Sequence, residues 1–180
     1  KHGEEVIRGI NLTIRSGEKI AIVGSTGAGK STLINLLSRF YEYDSGEIYL
    51  DNIKIRDFSL KSLRSHIGIV LQDVFLFADS ILNNITLNNP NISRELVINV
   101  AKEIGVHKFI ESLPGGYNYN VKERGVMLSS GQRQLIAFLR VYISNPSIMI
   151  LDEATSSIDS YSEELIKIAT ARITEKKTSI

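Results

Sequence analysis

Three glycines lead into a lysine and a pair of hydroxyl residues in the run Gly24-Ser25-Thr26-Gly27-Ala28-Gly29-Lys30-Ser31-Thr32. The order fits G-x-x-x-x-G-K-[ST], and the residue types suit one task, which is holding phosphate oxygens. Glycine reaches backbone angles closed to residues with a Cβ and leaves room for an oxygen to approach the main chain. Successive N–H groups then face one concave nest at the positive end of a helix. Lys30 adds a mobile cation for β- and γ-phosphates, and the Ser31 hydroxyl is placed to ligate Mg²⁺.

Two later stretches carry compatible chemistry. Ile148-Met149-Ile150-Leu151 is an apolar run that ends in Asp152-Glu153. Neighbours on a strand point to opposite sides, so the two acids take different jobs. Asp152 suits the metal's water shell, and Glu153 suits orienting or deprotonating an attacking water. A solvated acidic turn is the plainer alternative for this hexapeptide. Leu128-Ser129-Ser130-Gly131-Gln132 heads an amphipathic segment. Serine ahead of a helix is an ordinary N-cap, and the same helix end is a ready anion site.

The elements that must position these residues follow from periodicity. Lys19 to Val23 reads as a buried strand before the glycine-rich turn. Ser31 to Phe40 reads as a helix after it, with Leu33, Leu36, Leu37 and Phe40 at helical spacing. Residues 6–14 alternate loosely as a strand, and 47–50 with 53–55 form a hairpin about Asp51-Asn52. Leu60 to Arg64 is a helical turn, and Ile67 to Leu71 is a buried strand ending at Gln72. Segments 81–87, 93–104 and 106–113 are helical, and 129–143 is one amphipathic helix. Ile148 to Leu151 is a strand. Ser160-Tyr161-Ser162-Glu163 resembles a capping box for a last helix reaching about Arg172, and Thr178 to Ile180 begins another strand. Strands at both ends with helices between predict one α/β core with an inserted helical lobe.

Bulk properties exclude several classes. The 180 residues carry 43% apolar and 23% charged side chains, as soluble globular proteins do. A net charge of +1 demands no nucleic acid. The absence of cysteine rules out disulfides and thiolate metal sites. No apolar run is long enough to span a bilayer, and the charged start is no signal peptide.

Taken together, the phosphate loop, Gln72, Leu128-Ser129-Ser130-Gly131-Gln132, the acidic strand end and Ser156-Ser157-Ile158-Asp159 resemble the ATP-binding cassette (ABC) family, in this order and over essentially the whole chain. Residues 67–77 resemble the Q-loop segment of exporter-type members, and Glu123-Arg124-Gly125 resembles their X-loop. The resemblance implies a phosphate-loop NTPase (RecA-like) core with an antiparallel β subdomain and an inserted α-helical subdomain. It implies a single domain over 1–180, with its core at about 1–77 and 145–180 and the helical part at about 78–144. The implied activity is ATP hydrolysis with Mg²⁺, powering export through ATP-driven head-to-tail dimerisation. Lys30, Gln72 and Glu153 would be catalytic, and Gly24 to Thr32 would bind ATP. Ser31, Gln72 and Asp152 would serve the metal. Leu128 to Gln132 would reach the nucleotide of a second copy, with Ser129 and Gly131 at its γ-phosphate, and Asp159 would lie across that interface. The implied partners are a second nucleotide-binding domain, identical or not, and a transmembrane domain whose coupling helices meet the X-loop. The implied location is the cytoplasmic face of a membrane.

Departures from the family pattern sharpen these expectations. The family usually has glycine where this chain has Ser130. None of His2, His66 and His107 matches the family's switch histidine, which lies on a later strand. The aromatic residue that stacks on adenine usually precedes the first strand. Both ends are therefore expected to be trimmed. A soluble cassette ATPase of translation or DNA maintenance is the alternative, although a long coiled coil between Lys30 and Asp152 is excluded by their spacing. A helicase- or kinase-like phosphate-loop protein would leave the signature stretch Leu128 to Gln132 and Glu123-Arg124-Gly125 unexplained.

Overall fold

The structure, a computed structural model, describes residues 6–152 and 160–180. The chain divides into two compact units, one drawn from Lys1–Gly68, Pro146–Ile150 and Lys177–Ile180, the other from Ile69–Asn145 and Leu151–Lys176.

In the first unit, helix α1 (Lys30–Leu37) starts on Gly29 and buries Ile34. Strands β1 (Tyr49–Leu50) and β2 (Ile53–Lys54) pair antiparallel across Asp51 and Asn52. Both turn residues are left-handed, with φ of 46° and 66°. Two such residues give the turn whose twist matches the flanking strands, and Asp and Asn tolerate that region better than most side chains. Ile55 follows and is buried. Helix α2 (Leu60–His66) is capped by Ser59, whose side chain accepts from the Ser62 N–H, and Leu63 is buried.

Two arginines lock the end of α1 to this hairpin and to α2. Arg39 donates to the carbonyls of Ile55 at 3.1 Å and Phe58 at 2.9 Å. Arg64 donates to the carbonyls of Ser38 at 3.2 Å and Arg39 at 2.9 Å, and lies 4.7 Å over the Phe40 ring. The fork of a guanidinium satisfies several chain-end carbonyls at once, which α1 needs where its own ladder stops.

Strands β3 (Ile67–Val70), β4 (Ile148–Leu151) and β5 (Thr178–Ser179) form a sheet in that order, with β4 and β5 parallel. The strands expected over 6–14 and 19–23 are not formed. Residues 19–23 make a single bridge, Lys19 to Ser179, held by the Ile20 N–H on the Ser179 carbonyl at 2.9 Å. Val23 is 88% exposed rather than buried. An apolar run becomes a strand only where a neighbouring chain completes its ladder, and the short β5 serves only the start of this run.

The second unit is helical. Helices α3 (Ile81–Thr86), α4 (Arg94–Glu103) and α5 (His107–Glu111) precede α6 (Ser130–Ser144), and α7 (Ser160–Ile173) follows β4. Helix α6 packs against α7, α3 and α4. It buries Leu135, Ile136, Phe138 and Leu139, each worth about 1.5–3 kcal/mol of transfer free energy. Ser80 and Ser93 cap α3 and α4 by accepting from Asn83 and Leu96 N–H groups. Helix α7 begins at Ser160 as expected, but Ser160 lies within the helix rather than capping it, so the expected Ser160–Glu163 capping box is not formed there. Among the described residues, no helix is long and apolar enough to cross a membrane.

Arg39→Ala should lower the stability of the chain by about 1.5–3 kcal/mol, because charged donors to two carbonyls are lost. Glu163→Gln, which breaks the exposed Lys167–Glu163 pair, should cost under about 0.5 kcal/mol. Thermal melting of the two variants followed by circular dichroism checks the contrast, and equal shifts would contradict the locking role of Arg39.

Candidate functional site

The phosphate-seeking loop is built as its residue types require. Gly29 occupies the N-cap of α1 with φ 89°, and no side chain caps the helix there. A Cβ at that position would also meet the Val6 carbonyl oxygen at 3.3 Å. At Gly24 an added Cβ would approach the Ala28 Cβ at 3.1 Å. Glycine is therefore needed for a left-handed angle at one position and for close approach at the other. The result is a helix whose first amides are not taken by a capping side chain, with the positive end of its dipole facing outward.

Lys30 folds across this loop. Its Nζ donates to the carbonyls of Gly24 at 2.7 Å and Ser25 at 3.0 Å. The ammonium so sits over the loop it would serve, and an incoming anion can take the cation from two neutral carbonyls. Ser31 is exposed and Thr32 is half-buried at the start of α1. A cavity of about 310 Å³ adjoins the loop, lined by Gly29, Lys30, Val6, Ile7 and Val23 among others. Sequence reasoning missed Val6 and Ile7, since nothing in their types announces a contact with Gly29.

In the second unit, Asp152 follows β4 and is half-buried. Its N–H donates to the carbonyl of Val70, the last residue of β3, at 2.9 Å. Gln72 lies two positions beyond Val70 and is exposed. The sheet thus brings the chain at Gln72 and the chain at Asp152 together, beyond the ends of adjacent strands, a common place for ligands in α/β sheets. Glu153 and Asp159 lie outside the described residues.

Ser129 is the N-cap of α6 and makes a capping box. Its Oγ accepts from the Gln132 N–H at 3.2 Å, and its own N–H donates to Gln132 Oε1 at 3.0 Å. The hydroxyl keeps its proton for another acceptor, so capping and anion binding are compatible roles for one side chain. Ser129 and Ser130 are exposed, whereas Leu128 and Gly131 are buried and anchor the turn. Arg133 also holds this turn, donating to the Leu128 carbonyl at 2.8 Å. Sequence reasoning passed it over. Its position one helical turn after Ser129 was the available signal.

The turn ahead of the signature is strained. Lys122, Arg124 and Gly125 all have positive φ, at 61°, 53° and 68°. Each left-handed residue with a side chain costs about 1–2 kcal/mol. At Gly125 an added Cβ would meet Leu76 at 2.8 Å and Arg133 at 3.0 Å, so a side chain there would force its neighbours to shift as well as strain the backbone. Two of the histidines serve local packing: His66 lies edge-on to Phe58, and His107 Nδ1 meets the Tyr117 hydroxyl at 2.9 Å. Burial, then the nearby Glu111 charge, pushes the Tyr117 phenol up to about 12.

The donor types present fit magnesium, which is usually held by one or two carboxylates and a hydroxyl alongside substrate phosphates. Ser31 and Asp152 are donors of that kind. Among the described residues, no group of three His, Asp or Glu side chains is placed to hold a metal alone.

Comparison with known proteins places this geometry. A profile described as ABC transporter matches residues 7–156. A multidrug export ATP-binding/permease protein of Staphylococcus aureus (strain bovine RF122 / ET3-1) is 47% identical over 175 residues, covering 97% of this chain and 30% of that protein. A multidrug export ATP-binding/permease protein of Bacillus subtilis (strain 168) is 44% identical over 179 residues, covering 99% of this chain and 31% of that protein. The solved structure of a bacterial Atm1-family ABC exporter with ATP bound superposes with a TM-score of 0.88 at 39% identity, covering 97% of this chain and 31% of that one. The chain therefore spans about three tenths of the length of the relatives it matches.

Lys30→Ala should weaken ATP binding by one to two orders of magnitude, about 1.5–3 kcal/mol for lost charged hydrogen bonds. Isothermal titration of both chains with ATP measures this. An unchanged affinity would contradict the assignment of the loop.

Proposed function

The chain belongs to the ABC transporter family and is an ATP-binding, ATP-hydrolysing domain of the phosphate-loop NTPase fold, and from that premise we propose that it powers export across a membrane. ATP would draw two such domains together head to tail, and hydrolysis would release them. The whole of 1–180 is read as one cassette, with its core at about 1–77 and 145–180 and a helical lobe at about 78–144. It would work at the cytoplasmic face, joined to a transmembrane domain that meets Glu123-Arg124-Gly125. Its second nucleotide-binding domain is identical to it or different. The ATP-binding/permease relatives support this reading over a soluble ATPase of translation or DNA maintenance.

The observation that carries the proposal is a pair of helix starts. One begins on Gly29 with no side-chain cap, and the other presents the exposed Ser129 hydroxyl above a buried Gly131. The first suits the phosphates of this chain's own ATP, held by Gly24 to Thr32. The second suits the γ-phosphate of ATP on a partner copy, met by Ser129 and Gly131 within the stretch Leu128 to Gln132. In the reaction, water attacks the γ-phosphorus in line, the bond to the β–γ bridging oxygen breaks, and ADP leaves with that oxygen. Glu153 orients the water or takes its proton. Lys30 and the loop amides stabilise charge on the phosphoryl oxygens. Ser31, Gln72 and Asp152 would hold Mg²⁺, which when bound supplies further charge neutralisation at those oxygens. Asp159 would lie across the interface.

Glu153→Gln should keep ATP binding and lose turnover, which traps the closed pair. Sedimentation velocity with and without Mg-ATP reads this as a nucleotide-dependent shift from monomer to dimer. A chain that binds ATP and stays monomeric at every concentration would contradict the head-to-tail reading.

A further inference from the structure

Helix α6 carries a polar contact that neither phosphate chemistry nor a standard apolar core calls for. Arg140 donates from Nη1 to the Phe75 carbonyl at 2.8 Å, from Nη2 to Asn84 Oδ1 at 2.8 Å, and from Nε to the Asn84 carbonyl. Asn84 is 1% exposed. It accepts from the Phe77 N–H at 2.8 Å and donates to the carbonyls of Phe77 and Ser80, each at 3.0 Å. Burial pushes the Arg140 guanidinium below its ordinary value.

This network grips one short segment. Residues 75–77 follow Gln72, and they hold Leu76 fully buried between Phe75 and Phe77, which are 54% and 55% exposed. The two rings meet edge to face, 5.2 Å apart. Leu76 also sits where a Cβ on Gly125 would be, so the segment touches the strained turn ahead of the signature. Two exposed phenylalanines need a fixed backbone to keep one geometry, and here a guanidinium on α6 fixes it. The same helix begins at the Ser129 cap. A helix with a complete hydrogen-bond ladder moves as a rod, so its start and its Arg140 shift together.

We propose that Arg140 and Asn84 are positioning residues that pin the Phe75–Phe77 segment to α6, so that a movement of the Ser129 end is passed to the exposed aromatic pair. Arg140 touches no reacting atom and acts through the segment it holds. The proposal rests on the reading that Ser129 meets a nucleotide. It adds a specific linkage from that hydroxyl to the surface beyond Gln72.

The chain contains no tryptophan, so Phe75→Trp gives a single fluorescent reporter on the pinned segment. In the Glu153→Gln background, Mg-ATP is expected to shift its emission. Adding Arg140→Met should abolish most of that shift while changing ATP affinity by no more than about twofold, since the loop lies on a separate unit. Arg140→Lys, which keeps the charge and loses the fork, should restore part of it. Amide hydrogen exchange gives an independent reading. Arg140→Met should speed exchange at Phe77 by about tenfold or more and leave Leu135 to Leu139 unchanged. An undiminished emission shift in Arg140→Met, a silent reporter in a chain that binds Mg-ATP, or loss of protection along all of α6 would each overturn the pin. Failure of the unsubstituted chain to bind ATP would instead count against the nucleotide reading, and exchange at Phe77 would still decide the pin.

Discussion

The structure depends on helix starts whose electrostatic charge is left for something else to neutralise. At Gly29 the chain turns through a left-handed angle and enters α1 without a capping side chain. The first amides of a helix cannot be satisfied within it, and their dipoles add to a partial positive charge. Lys30 makes this end more positive still and is held by two loop carbonyls. A nucleotide's phosphates match both features. The rest of the first unit follows from keeping α1 in place: Arg39 and Arg64 bind the other end of the helix to the hairpin and to α2.

Helix α6 solves the same problem differently. Its start is capped by Ser129 and Gln132 in a reciprocal pair, so it is stable without a ligand. The hydroxyl proton stays available, and Ser130 is exposed beside it. Buried Leu128 and Gly131 keep this turn close to the helix while its polar atoms face outward. The cap and the outward-facing hydroxyl proton thus use different atoms of the same few residues, so the cap does not depend on a ligand.

How much of this was legible in the sequence depends on whether a feature is local. The glycine-rich turn before α1, the hairpin about Asp51-Asn52, the Ser129 cap and the strand at Ile148 to Leu151 are set by residues close in sequence, and the structure has them where the sequence pattern placed them. The strands expected at 6–14 and 19–23 failed because a strand is a property of two chains, and an apolar run does not say whether its partner is there. Val23, apolar and almost fully exposed, is the clearest case. Arg133, Arg140 and Asn84 were invisible for a related reason. Each acts through a carbonyl or amide brought near by tertiary folding, and an asparagine amid Ile81, Ile85 and Leu87 looks like a defect until Phe77 and Arg140 are seen around it.

The most direct measurement is the amide nitrogen–proton spectrum of the chain titrated with Mg-ATP. If the uncapped start of α1 takes the phosphates, the amides of Gly27, Gly29, Lys30 and Ser31 shift downfield together and saturate with the nucleotide, as N–H groups do when they gain anionic acceptors. Saturable binding that leaves those four amides unmoved would contradict the account, because the nucleotide would then be held somewhere other than the helix start around which the first unit is built.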